Sequence, residues 1–127
     1  MIELREFDAH YDLPVIQHWC WKRGVPQLEA KFLPEIGLIC PGLCAGFLFK
    51  TDSKVAMIGN LISNPQAKKE SRSLALDLLI EMLYNRGRLE GFDRITVAAN
   101  LPHVKDRYLR LGFKAGDAGV DHFFKED

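Results

Sequence analysis

The chain alternates between two hydrophobic periods. Ile2-Glu3-Leu4-Arg5-Glu6-Phe7 steps apolar-polar with period two, which predicts a first strand. Asp8 to Asp12 is polar and turn-like. Asp12 is placed to cap a helix with Pro14 in its first turn, where a missing N–H is harmless. That helix runs to about Arg23 and stops at Gly24. Val15, Ile16, Trp19 and Cys20 fall on one face and predict core, with His18 and Trp21 off the stripe. Val25 to Pro34 is bracketed by Pro26 and Pro34 and has room for one short helical turn. It reads as a plain connection or as a substrate-side loop, the plain connection being favoured.

Three strand-like runs follow: Ile36 to Cys40, Leu43 to Lys50 and Val55 to Ile62. Pro41-Gly42 and the polar turn Thr51 to Lys54 separate them. Such short connections imply an antiparallel meander. Gly42, Ala45 and Gly46 predict a close backbone approach or a bulge. Ser63 to Arg72 is a polar, basic turn. A long helix follows, carrying Leu74, Ala75, Leu78, Leu79, Met82 and Leu83 at three-and-four spacing, and it ends near Leu89-Glu90 with Gly91 as its cap. Arg94 to Ala99 reads as a buried strand. Strand, crossover helix and strand form a βαβ unit, so Val55–Ile62 and Arg94–Ala99 are expected to lie parallel. A helix from His103 to Leu111 closes at Gly112. Phe113-Lys114-Ala115 and Val120 to Phe124 predict a final hairpin. The fold class expected is α+β, a mixed sheet made of an antiparallel meander with one parallel strand pair, flanked by helices.

At 127 residues the chain is long enough for one domain, residues 1–127, and too short for two. Its formal net charge of +0 carries no nucleic-acid signature. No apolar run approaches the ~20 residues that cross a bilayer, and the acid-containing start does not read as a secretion signal. Neither nucleic acid nor membrane is therefore expected as a partner, and a cytoplasmic location is expected. Cys20, Cys40 and Cys44 lack zinc-ligand spacing and read as free, buried or half-buried thiols. Trp19, Trp21 and Phe123-Phe124 read as core in preference to interface. A homodimer is left open.

A helix entered from a basic, small-residue turn offers unpaired N–H groups at its positive end, a place for a phosphate. The element order, with Asn64-Pro65 before this turn and Tyr108-Leu109-Arg110-Leu111-Gly112-Phe113 near the end, resembles the GNAT superfamily of N-acyltransferases. That family's coenzyme A turn has the form Gln/Arg-x-x-Gly-x-Gly/Ala, followed by paired leucines. Glu70-Ser71-Arg72-Ser73-Leu74-Ala75 stands in that place, with Leu78-Leu79 as the leucines. The family's Asn…Tyr-x-x-x-Gly-Phe pattern is matched by Asn100, Tyr108, Gly112 and Phe113. Ser73 replaces the first motif glycine, Glu70 replaces the leading Gln/Arg, and the Asn100 to Tyr108 interval is one residue longer than is usual in the family. The chain is also similar to small GNAT-like proteins of tailed phages.

The resemblance implies an acetyl-CoA-dependent N-acyltransferase that moves an acyl group directly from thioester to amine on a small molecule or protein. The parallel strands would splay to admit the cofactor. Backbone groups of Leu61, Ile62 and Ser63 would hold the pantetheine arm, and the turn from Glu70 to Ala75 would hold the diphosphate. Lys68, Lys69 and Arg72 would add positive charge, and Asn100 would touch the cofactor. Tyr108 matches the position that often protonates the leaving thiolate, with no metal involved. The strand glutamate that serves many members as base is missing from Ile58-Gly59-Asn60-Leu61. His18, Glu29, His103 and His122 are candidate replacements. Asp121 and His122, adjacent in a strand, would point to opposite faces and not form a dyad. The plain alternatives are a solvated helix start at the turn and a packing role for Tyr108. Ser73, Glu70 and the missing glutamate favour a second reading, a catalytically inactive GNAT-shaped binding or assembly module.

Overall fold

The structure, a computed structural model, describes residues 1–99, 102–117, 123 and 125–126. Among these residues five strands form one sheet in sequence order: β1 (Arg5–Glu6), β2 (Ile36–Cys40), β3 (Cys44–Lys50), β4 (Val55–Ser63) and β5 (Arg94–Val97). The first three junctions are antiparallel and β4 pairs with β5 in parallel, as the short and long connections require. The helices are α1 (Ala9–Arg23), α2 (Lys69–Leu89) and α3 (Pro102–Arg110). Ala30–Phe32 makes a single 3₁₀ turn between the two prolines.

Both faces of the sheet are covered, so its central strands are apolar on both sides and not merely alternating. On one face Ile16, Trp19 and Cys20 of α1 pack with Ile39, Ala45, Phe47 and Ile62. On the other, Ala75, Leu79, Ile80 and Leu83 of α2 pack with Leu38, Cys40, Cys44, Leu48, Ala56 and Ile58, joined by Tyr108 of α3.

The parity of β4 carries the important irregularity. Ala56 and Ile58 face α2, yet Ile62, also even-numbered, faces α1. One extra residue must intervene. Phe47 is opposite Gly59 and Ala45 is opposite Ile62, so Asn60 and Leu61 together oppose Gly46. This is a β-bulge, and Asn60 takes φ 52 within it. Gly46 accommodates it: a Cβ there would meet the Leu61 side chain at 2.5 Å.

Several boundaries differ from the sequence expectation. The strand expected over Ile2–Phe7 is confined to Arg5–Glu6. Asp8 caps α1, accepting from the His10 N–H at 3.0 Å. Asp12 instead lies buried inside the helix, where Arg5 grips it through two bonds of 2.8 and 2.9 Å and the Asp8 N–H adds a third. Val15 is 42% exposed and Trp21 66% exposed, so neither is core; Trp21 instead stacks on His18. Leu74 is exposed, and α2 buries the row Ala75, Leu79, Leu83 and Gly87. Phe113 to Ala115 forms no strand, and Phe123 is exposed. The rest of the expected closing strand, with Phe124 and His122, lies outside the described residues.

Candidate active site

Parallel pairing of β4 with β5 covers Val55 to Ile58 against Arg94 to Val97 and then stops. β4 continues for five more residues with, among the described residues, only β3 beside it. The bulge lies just beyond the last pair, where it turns β4 away and raises its twist. The result is a cleft of about 570 Å³ between the parting strands, roofed by α2 and α3. From Gly59 to Ser63, one edge of β4 faces this gap with no parallel partner strand among the described residues, so its backbone groups are open to an extended ligand.

At one end the cleft meets the start of α2. The turn before it is held by Asn64. Its N–H donates to the Leu43 carbonyl and its Nδ2 to the Gly42 carbonyl, both at 2.9 Å, and its Oδ1 accepts from the Gln66 N–H at 2.9 Å. Arg72 reaches back from the helix to the carbonyls of Asn64, Pro65 and Ala67 at 3.2–3.4 Å. The first helical bond of α2 runs from the Arg72 N–H to the Lys68 carbonyl at 2.9 Å. The N–H groups of Lys69, Glu70 and Ser71 precede it and have no intrahelical acceptor. The turn is thus shorter than expected, and Lys69 to Arg72 belong to the first helical turn.

The cleft wall is cationic. Lys69 and Arg72 stand at the α2 start, Arg107 on α3, and Arg23 arrives from the last turn of α1. Arg23 donates to the Ser63 carbonyl at 2.8 Å and to its hydroxyl at 2.6 Å. Burial, and then the nearby Arg72 charge, pull the Arg23 pKa below its ordinary value. Two guanidinium groups held together this way favour a shared anion. Arg107 is anchored differently, to both oxygens of Ser73 and to Asp77, which Arg110 also grips at 2.9 and 3.0 Å. Burial opposes ionisation of Asp77, but the hydrogen bonds from Arg110 and Arg107 outweigh it and hold the carboxyl below its usual range.

Tyr108 lines the cleft at 7% exposure, and its hydroxyl donates to the Ala98 carbonyl at 3.2 Å, where β5 has just ended. Burial raises its pKa above the ordinary phenol value, only partly offset by Arg107. The proton therefore stays on the oxygen at neutral pH.

Of the residues named from sequence, Leu61, Ile62, Ser63, Lys69, Arg72, Ser73 and Tyr108 border the cleft. Lys68, Glu70, Ser71 and Leu74 lie outside its lining, and Ala75 is buried beneath it. Glu70 is exposed and does not line the cleft. Asn100 lies outside the described residues. Of the candidate bases, His103 lines the cleft, whereas His18 and Glu29 do not. Arg23, Asn60 and Arg107 were not singled out in the sequence. Arg23 reads there as an ordinary cation at a helix C-terminus, and Arg107 as part of the charged run Lys105-Asp106-Arg107. Asn60 does have a signal, the adjacent apolar pair Leu61-Ile62 that breaks the period of two.

No protein-family model matches the chain, and no curated protein matches it. Solved structures do. An acetyltransferase from Trypanosoma brucei superposes with a TM-score of 0.69 at 15% identity, over 98% of this chain and 100% of that one. A transcriptional regulator from Bacillus halodurans C-125 gives 0.72 at 17% identity, over 98% and 100%. A predicted acetyltransferase from Clostridium acetobutylicum, solved with acetyl-CoA, gives 0.64 at 14% identity, over 97% and 96%. The fold is that of the GNAT-type acetyltransferases, as the element order implied. These sources lend no support to a phage origin. Among the described residues no helix is long and apolar enough to cross a membrane, and no group of three or more His, Cys, Asp or Glu is placed to hold a metal ion.

Proposed function

We propose that the protein is an acetyl-CoA-dependent N-acyltransferase. The observation that carries the reading is the parting of β4 from β5 after Ile58 and Val97, directly below a cationic helix start. The residues present fit the cofactor. The β4 edge from Gly59 to Ser63 offers backbone partners to the pantetheine arm, in the manner of an added strand. The free amides of the first α2 turn, with Lys69 and Arg72, offer donors and charge to a diphosphate. Bound acetyl-CoA would supply an acyl group activated as a thioester.

The chain's own residues then orient and move protons. Tyr108 keeps its proton in a buried position on the cleft wall and serves as the acid for a departing thiolate. Its hydroxyl donates to the Ala98 carbonyl in the free chain and would turn from that acceptor toward the sulfur to act as the acid. His103, exposed on the first turn of α3, is the candidate from sequence that has access to the cleft for taking a proton from the amine, directly or through water. The acceptor class is a primary amine on a small molecule or protein.

The test is release of free CoA thiol from acetyl-CoA over a panel of amines. Amine-dependent release above the buffer rate supports transfer. Tight cofactor binding with no release for any amine would favour a binding module of the same shape.

A further inference from the structure

Cys40 and Cys44 face each other as direct partners across the β2–β3 pair. Both are fully buried and both are free thiols. They close a tight turn: the Leu43 N–H donates to the Cys40 carbonyl at 2.9 Å, with Pro41 and Gly42 at the corners and Gly42 at φ 76. The tip of that turn is exposed at Gly42, so the pair lies just beneath the surface. Directly opposed residues have Cβ atoms about 4.5–5.5 Å apart. A disulfide needs about 3.5–4.5 Å, a small adjustment at the end of a hairpin. Cys20 lies in the core of the opposite sheet face and cannot compete.

The same hairpin end supports the cleft. The Cys40 thiol donates to the Ala75 carbonyl of α2 at 3.8 Å. The carbonyls of Gly42 and Leu43 accept the two hydrogen bonds that Asn64, the residue holding the turn before α2, donates. We propose that Cys40 and Cys44 are a dithiol site that a hydroperoxide converts to a cross-strand disulfide, and that closing this bond weakens the anion-binding end of the cleft. The second half rests on the proposed function; the first does not.

The Cys44 thiol facing the Cys40 sulfur lowers the Cys40 pKa, while Cys40 and burial together raise that of Cys44. Of the two, Cys40 is therefore the thiol that gives up its proton as it attacks, while Cys44 keeps its own. Fraying of the hairpin tip admits the peroxide. The Cys40 sulfur attacks one peroxide oxygen, the O–O bond breaks, and water leaves after taking up the thiol proton. Cys40 is now a sulfenic acid. The Cys44 sulfur attacks it, the S–O bond breaks, and the departing hydroxide takes the Cys44 proton as a second water. Two thiols are oxidised by two electrons and one peroxide is reduced. Closure draws the Cys40 sulfur away from Ala75 and shifts the carbonyls that hold Asn64.

The full chain is treated with hydrogen peroxide, unfolded, alkylated with iodoacetamide and mapped by mass spectrometry after trypsin. Both cysteines fall in the peptide 32–50. The expected result is that this peptide is two hydrogens lighter and carries no alkyl group, that dithiothreitol reverses this, and that Cys20 stays alkylated. Full alkylation of Cys40 and Cys44, or their passage to sulfinic acid without a bridge, would overturn the site. In Cys44→Ala, which keeps a small apolar side chain, Cys40 is expected to proceed to sulfinic acid. Calorimetric titration with acetyl-CoA tests the coupling: at least a tenfold loss of affinity on oxidation, restored by reduction, is expected, and equal affinity would overturn it. If the reduced protein binds no acetyl-CoA, the proposed function fails while the peptide map still decides the disulfide.

Discussion

The Arg107 guanidinium donates to both oxygens of Ser73, to the carbonyl at 2.9 Å and to the hydroxyl at 3.1 Å. Ser73 stands where a glycine would be expected from the coenzyme A motif. Here its hydroxyl ties α3 to the start of α2, and so holds together the two helices that roof the cleft. Ser73→Ala removes only that acceptor. It should lower stability by about 0.5–1.5 kcal/mol. Urea unfolding measures this, and an unchanged midpoint would mean that the hydroxyl does not contribute.

Tyr108 follows Arg107 directly, so the same helix carries the strut and the proposed acid. Tyr108→Phe keeps the ring packed and removes the proton. Amine-dependent thiol release should fall by about 10²-fold or more, within the range for a lost general acid. Acetyl-CoA affinity should be unchanged. A rate and pH profile identical to the parent protein would assign Tyr108 to packing alone.

The bulge depends on a backbone conformation that most side chains resist. Asn60 at φ 52 is tolerable for asparagine and free for glycine. Asn60→Gly should therefore leave stability within about 0.5 kcal/mol of the parent. Asn60→Val should cost about 1–2 kcal/mol, because a β-branched residue is strained there. Equal stability of the two variants would contradict the left-handed assignment.

Asp77 sets an acid limit. Its carboxyl titrates below its ordinary value in the folded chain, against about 3.9 when unfolded. The unfolded chain thus binds this proton first as pH falls. The stabilisation is complete above the unfolded value and is lost as pH drops through the folded one. Asp12, held low chiefly by its hydrogen bond from Arg5, acts in the same sense. Stability to urea should hold steady from about pH 7 to 5 and decline below about pH 4. Asp77→Asn should be less stable at neutral pH and should show a shallower acid decline. The same acid slope in both proteins would remove Asp77 as a cause.

Much of the scaffold is legible in the sequence because local signals agree. Pro41-Gly42 and the Thr51–Lys54 turn separate three apolar runs at spacings that allow only a meander, and Gly24 ends α1 at φ 68. The parallel junction follows from connection length. What is not legible depends on partners distant in sequence. Asp12 looks like a cap until Arg5 is brought against it, and Trp21 looks like core until the helix is seen to leave that side uncovered. Arg23 and Arg107 look like solvated charges. Only the fold carries Arg23 across to Ser63, 40 residues away, and Arg107 across to Ser73, 34 residues away. The cleft itself is a place where pairing stops, and a strand pattern states where pairing is possible but not where it ends.

In the proposed function the gap between β4 and β5 holds a diphosphate-bearing cofactor against the first turn of α2. Calorimetric titration of the full chain with acetyl-CoA, beside a Lys69→Ala/Arg72→Ala double variant, tests it most directly. A micromolar dissociation constant is expected for the parent chain, with at least a tenfold loss in the variant. No heat of binding at millimolar acetyl-CoA, or equal affinity in the two proteins, would contradict it.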